Sequence, residues 1–180
     1  VDLLNIKYTL KPNELKNIPA TGRLLIVANH ITGASDAFSL VQLVGQVREN
    51  KKVRLLVNGM LMSVNQASDI IIGVDNISGA ITKKSLQEIN NALENEEVVI
   101  IFPSGIVNRL GLNGIKDTPW KASFLKIAKR TSTPILPIKI DSRNSILFYL
   151  ISIILPKYSG FMLPHEFVIA GEMKPLHFNI

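Results

Sequence analysis

Leu24-Leu25-Ile26-Val27-Ala28-Asn29-His30-Ile31-Thr32-Gly33-Ala34-Ser35-Asp36 is the stretch that decides the fold. Its first five residues are apolar without interruption, and no polar residue alternates among them. A strand of that kind is covered on both faces, as in a parallel sheet packed between helices. Gly33 then offers a turn, and a helical pattern is expected over Ala37–Arg48. The same succession recurs along the chain. Strands are expected at Val53–Val57, Ile70–Val74, Val98–Phe102, Ile135–Ile140 and Phe167–Ala170, and helices at Ile81–Asn95, Pro119–Thr131 and Asn144–Leu155. This order predicts an α/β fold: a single domain over residues 1–180, with a mostly parallel central sheet sandwiched by helices.

Finer signals sit on these elements. Ile81, Leu86, Ile89, Ala92 and Leu93 share one apolar stripe, and Ser85 with Glu88 has capping-box spacing. Thr118 is placed as an N-cap, with Pro119 at the first helical position. The Asn, Gly and Pro residues between Arg109 and Pro119 predict one long loop.

Composition narrows the function classes. The chain has 180 residues, 47% hydrophobic, and a mean hydropathy of +0.25, which excludes disorder. It has no cysteine, so disulfides, thiol catalysis and cysteine zinc sites are excluded. Val1-Asp2-Leu3-Leu4-Asn5 lacks a secretory pattern, and a first residue other than Met suggests a sequence that does not begin where its gene does. The longest apolar run, Ile146 to Leu155, is ten residues interrupted by Ser152. A membrane span needs about 20, so this run is expected to lie on a bilayer or in the core rather than cross. Net charge is +6, and eight basic residues against two acids between Arg109 and Arg143 carry a surplus of that same size. Such a patch attracts phosphate or another anion, unless it is simply a solvated helix face. Nucleic acid is not expected, because Trp120 and Phe124 are the only aromatics in that stretch and no recognition motif accompanies them.

Three constellations could carry chemistry. His30 leaves a buried strand with Asp36 a short loop away, which suits a general base and an acid that orients it. Six positions along one helix rotate by about 240°, so the two side chains meet only if the chain turns near Gly33. A histidine beside an aspartate also serves as a structural pair, and spacing leaves both readings open. Phe102-Pro103-Ser104-Gly105-Ile106-Val107-Asn108-Arg109 is a second strand exit, where amides after Gly105 and the Arg109 guanidinium could hold an anion. Ser104 lacks the frame of a nucleophile elbow and is expected to be a turn residue. Pro134 and Pro137 interrupt an apolar run, as at a strand entry or sheet edge.

Taken in order, Asn29-His30-x5-Asp36, Val74-Asp75 with Gly79 nearby, Phe102-Pro103-x-Gly105 and Pro134-x-x-Pro137 resemble the lysophospholipid (glycerophospholipid) acyltransferase superfamily. Five residues between His and Asp, Gly114-Ile115-Lys116-Asp117-x-x-Trp120, and Asp141-Ser142-Arg143-Asn144-Ser145 look like its bacterial hemolysin-labelled, ornithine-lipid-type branch. The resemblance implies a glycerolipid acyltransferase-like fold. The implied activity is transfer of an acyl chain from an acyl carrier protein or coenzyme A thioester to a lysophospholipid or lyso-aminolipid hydroxyl. It casts His30 as base, Asp36 as its orienting acid, and Asn29, Phe102, Pro103, Ser104, Gly105 and Arg109 as the substrate-binding set. Pro134 and Pro137 would shape the wall near the donor. No metal or resident cofactor is implied. Ser104 and Ile106 stand where the pattern has Glu, and Asn76 where it often has Arg, which argues against glycerol 3-phosphate as acceptor. The expected setting is the cytoplasmic face of the cell membrane, held peripherally through anionic lipids. The rival readings are a non-catalytic or weakly active lipid-binding module on the same fold and a hydrolase using His30.

Overall fold

The computed structural model describes residues 7–49, 52–58, 69–75, 81–111, 114–155, 162–163, 166 and 175–180. Strand β2 (Leu24–Ala28) is the axis of the molecule, with every residue at most 2% exposed. It pairs in parallel with β5 (Val98–Ile101) on one side and β8 (Ile135–Asp141) on the other. Strands β3 (Val53–Asn58) and β4 (Ile71–Val74) extend the sheet past β5. Beyond β8 come β9 (Leu176–Asn179) and β1 (Tyr8–Leu10), giving the order β1-β9-β8-β2-β5-β3-β4. Among the described residues, only the β8–β9 pairing in this sheet is antiparallel. The predicted mostly parallel sheet is therefore what forms.

Odd and even residues of β2 face different helices, which is why the strand shows no polar alternation. Leu24, Ile26 and Ala28 pack with Leu40, Leu43 and Val44 of α1 (Ala34–Val47). Leu25 and Val27 pack on the opposite face with Ile89 and Leu93 of α2 (Lys83–Glu94) and Ile127 and Ala128 of α3 (Ser123–Thr131). A short 3-10 turn at Glu14–Asn17 precedes β2, and α4 (Ile146–Ile154) follows β8.

Several expectations shift. Helix α3 starts at Ser123 rather than Pro119, because Thr118 Oγ1 donates to the Ser104 carbonyl instead of capping a helix. The cap of α2 is Thr82, whose hydroxyl accepts from Ser85 N at 3.0 Å, so Ser85 lies inside the helix. The expected long loop contains a hairpin, β6 (Arg109–Gly111) against β7 (Gly114–Lys116). Strand β8 is interior, yet its pairing with β9 begins only at Lys139. Up to Pro137 it is flanked by β2 alone among the described residues, so the prolines interrupt no second ladder. The strand expected at Phe167–Ala170, and Asn76 of the second motif, lie outside the described residues.

Helix α4 reverses the usual distribution of side chains. Its one polar residue, Ser152, is buried beside Phe148 and Tyr149, whereas Ile146 (79%), Leu147, Leu150, Ile153 and Ile154 (73%) are exposed. No helix among the described residues is long and apolar enough to cross a membrane.

Candidate active site

The C-terminal ends of β2 and β5, side by side in the sheet, deliver the two main motifs to one place, as open parallel sheets commonly do. Past Ala28, the Asn29 amide continues the ladder. Its Nδ2 donates to Ile140 O at 2.8 Å, and its Oδ1 accepts from Ile140 N at 2.7 Å. Asn29 is thus committed to holding β2 against β8. Gly33 then makes the turn with φ +77° and ψ −119°, a conformation that favours glycine, and α1 begins at Ala34. Asp36 consequently sits in the first turn of α1, facing back toward His30.

The His30–Asp36 pair forms. Nδ1 of His30 lies 3.1 Å from Asp36 Oδ2, with the histidine side chain 18% exposed and the carboxylate fully buried. Asp36 also accepts from Ile31 N (2.6 Å), Thr32 N (2.8 Å) and Thr32 Oγ1 (2.6 Å). A carboxylate surrounded by donors calls for a proton on Nδ1, which leaves Nε2 as the acceptor. Phe102 stacks on the imidazole, ring centroids 4.2 Å apart and planes 24° apart, and so limits its rotation. The result is an imidazole held in one tautomer, with Nε2 able to accept a proton.

The second motif docks through main chain. Asn108 N donates to His30 O at 2.7 Å, which places Arg109 next to the histidine loop. Gly105, at φ +73°, closes the turn by donating to Phe102 O at 3.0 Å. Ser104 Oγ donates to Ile106 O at 2.9 Å, so Ser104 is a turn residue, as expected. The Arg109 guanidinium lies 5.4 Å over the Phe148 ring, and its Nη1 is buried without a hydrogen-bond partner among the described residues. Burial pushes its pKa down, although an arginine stays charged. A half-buried cation with an unused donor suits a bound anion.

The structure therefore brings His30, Asp36 and Phe102 into contact and joins Arg109 to them through Asn108. Pro103 enters through its carbonyl, which accepts from Lys121 N. Pro137 stays exposed on β8 in register with Val27, three residues short of His30. Residues whose part the sequence did not reveal include Asn108, whose amide makes the link, and Asn144. Asn144 Nδ2 donates to Ile31 O at 2.6 Å. A third is Asp117, whose Oδ1 accepts from His30 N. Its only signal was its place in the Gly114–Trp120 pattern.

A family model described as acyltransferase matches residues 5–173. Lyso-glycine lipid O-acyltransferases of Phocaeicola vulgatus and Bacteroides thetaiotaomicron are 29% and 26% identical over 149 residues. That is 83% of this chain but 52% and 53% of theirs, so the chain spans about half the length of the curated relatives it matches. The crystal structure of the 1-acyl-sn-glycerophosphate acyltransferase PlsC from Thermotoga maritima is similar with a TM-score of 0.54 and 24% identity. It covers 77% of this chain and 51% of that one, and the likeness is one of fold.

Proposed function

Since the chain belongs to the acyltransferase family, we propose that it transfers an acyl group from a thioester to the hydroxyl of an anionic lysolipid, with His30 as base. The observation that carries this reading is the Nδ1-tethered, Phe102-stacked His30, joined through the Asn108 main chain to the segment that carries the half-buried Arg109. Nε2 takes the acceptor's hydroxyl proton while that oxygen attacks the thioester carbonyl. The C–O bond forms, the C–S bond breaks, and the departing thiolate recovers the proton from the imidazolium. Asp36 stabilises that imidazolium, and turn amides with Arg109 stabilise the developing oxyanion or the acceptor's charge. A thioester is already activated, so no serine or cysteine intermediate is required.

The donor is an acyl carrier protein or coenzyme A thioester. For the acceptor, the names of the relatives favour a lyso-aminolipid such as a lyso-glycine lipid. A glycine acylated on nitrogen keeps a carboxylate, which the Arg109 fork fits. Such an acceptor sits in a bilayer, and the exposed aliphatic face of α4 is a means of meeting it. Arg143, exposed just before α4, adds a charge suited to anionic headgroups. We place the protein peripherally on the cytoplasmic face, where acyl thioesters are made.

The deciding experiment incubates the protein with acyl carrier protein or coenzyme A thioesters and either lyso-glycine lipid or lysophospholipid, following product by mass spectrometry. Transfer should fall about 10²–10⁴-fold in His30→Ala. Near-normal turnover in folded His30→Ala would overturn the role of His30. Vesicle binding without any transfer would instead support a non-catalytic lipid-binding module, and acid release without an acceptor a hydrolase.

A further inference from the structure

Residues 117–121 leave the β6–β7 hairpin and reach α3 by way of the site. Three hydrogen bonds fasten them there. Asp117 Oδ1 accepts the His30 main-chain N–H at 3.3 Å, Thr118 Oγ1 donates to Ser104 O at 3.2 Å, and Lys121 N donates to Pro103 O at 3.0 Å. One short segment thus holds both strand exits in place. The second oxygen of Asp117 accepts from the Trp120 indole at 3.0 Å, and Trp120 meets Phe124 of α3 edge-on at 6.2 Å. Both oxygens face N–H donors, an arrangement that satisfies a carboxylate anion.

We propose that Asp117 is a positioning residue for His30: its carboxylate anchors the histidine's main chain to Trp120, and its charge stabilises the imidazolium that forms when the base takes a proton. The inference rests on His30 being the base. Two carboxylates then serve one ring by different routes, Asp36 at Nδ1 and Asp117 from the main-chain side. Burial is the largest influence on Asp117 and raises its pKa, opposed by the Trp120 and His30 N–H groups and by the charge on His30, while Asp36 raises it further. The other charged side chains on these loops are cationic. Arg109 follows Asn108, and Lys121 Nζ lies at the Gly105 turn.

The test titrates the His30 ring by NMR in the full chain, with His30→Gln to assign its resonance. Asp117→Asn can still accept from His30 N–H, but its NH2 would oppose the indole N–H. Adding Trp120→Phe removes that conflict, so the double variant loses the charge while keeping the main-chain tether. In both, the His30 pKa should fall by about half a unit to one unit. The acidic limb of kcat/KM should move to lower pH by the same amount, with KM unchanged. Trp120→Phe alone keeps the charge and should leave the titration in place. An unmoved His30 titration in the folded double variant overturns the inference. The NMR reading needs no turnover, so an inactive wild-type protein, which counts against acyl transfer, remains distinct from failure of this proposal.

Discussion

The Asp36 carboxylate receives more donors than catalysis alone requires, and that makes it a folding residue as well. Three hydrogen bonds from Ile31 and Thr32 converge on it in full burial, besides the one with His30. Asp36→Asn can keep an oxygen on the three N–H groups at Oδ2 and turn its NH2 to the Thr32 hydroxyl, but it loses the charge that strengthens every one of these buried bonds, so we expect a stability loss of about 1–3 kcal/mol in urea unfolding. A rate loss of about 10²–10⁴-fold should accompany it, because a neutral amide no longer stabilises the imidazolium that His30 becomes. Unchanged urea midpoint and unchanged turnover together would refute both roles. Arg109 differs, since its Nη1 has no hydrogen-bond partner among the described residues. Arg109→Ala should raise KM for the anionic acceptor about ten- to hundredfold, and Arg109→Lys should recover only part, lacking the planar fork. If KM stays put for donor and acceptor alike, Arg109 is merely packed on Phe148. The His30–Asp36 contact was legible because one short loop with a glycine joins His30 to the helix turn that carries Asp36. Arg109 was legible as a cation but not as a neighbour of His30, since their link is a main-chain bond between distant segments.

Elements carry the next level of constraint. The turn at Gly33 positions α1 so that its first turn presents Asp36. A Cβ there would adopt a strained backbone and approach Leu163 Cδ2 to 3.3 Å. Gly33→Ala should therefore cost about 1–3 kcal/mol and lower turnover with it, measured by thermal melts and initial rates on the same sample. A melt identical to wild type would show the turn to be tolerant. Helix α4 has two sides with opposite expectations. Leu147→Gln and Leu150→Gln fall on exposed positions and should move stability by no more than about 0.5 kcal/mol. Phe148→Ala opens a fully buried site and should cost about 3–5 kcal/mol, while also removing the surface on which Arg109 rests. Equal costs on the two sides would mean that the outer face is also covered.

For the molecule as a whole, the peripheral-membrane proposal draws on both the net charge of +6 and the exposed outer face of α4. Binding to vesicles of phosphatidylcholine with phosphatidylglycerol should rise with the anionic fraction and fall as salt is added. Leu147→Gln/Leu150→Gln should weaken it without changing the melt. If the protein ignores anionic vesicles at low salt, the peripheral-membrane proposal is wrong and a water-soluble acceptor becomes the better reading.

The sequence by itself determined what depends on neighbours along the chain. Uninterrupted apolar strands such as Leu24–Ala28, the helices between them, the glycine turn that joins His30 to Asp36, and the order of the motifs are all local patterns. Only the tertiary structure decided the rest. Strands β1 and β9 are too short to show a period and exist because Tyr8–Leu10 finds Leu176–Phe178 at the far end of the chain. Thr118 looked like a helix cap until a carbonyl fourteen residues away claimed its hydroxyl. Ile146 to Leu155 reads as apolar at every position but Ser152, and which side meets water depends on where Val107 and Leu110 pack against Phe148 and Tyr149. Partners brought close by folding compete with local preference, and their identity is written in no single stretch of sequence.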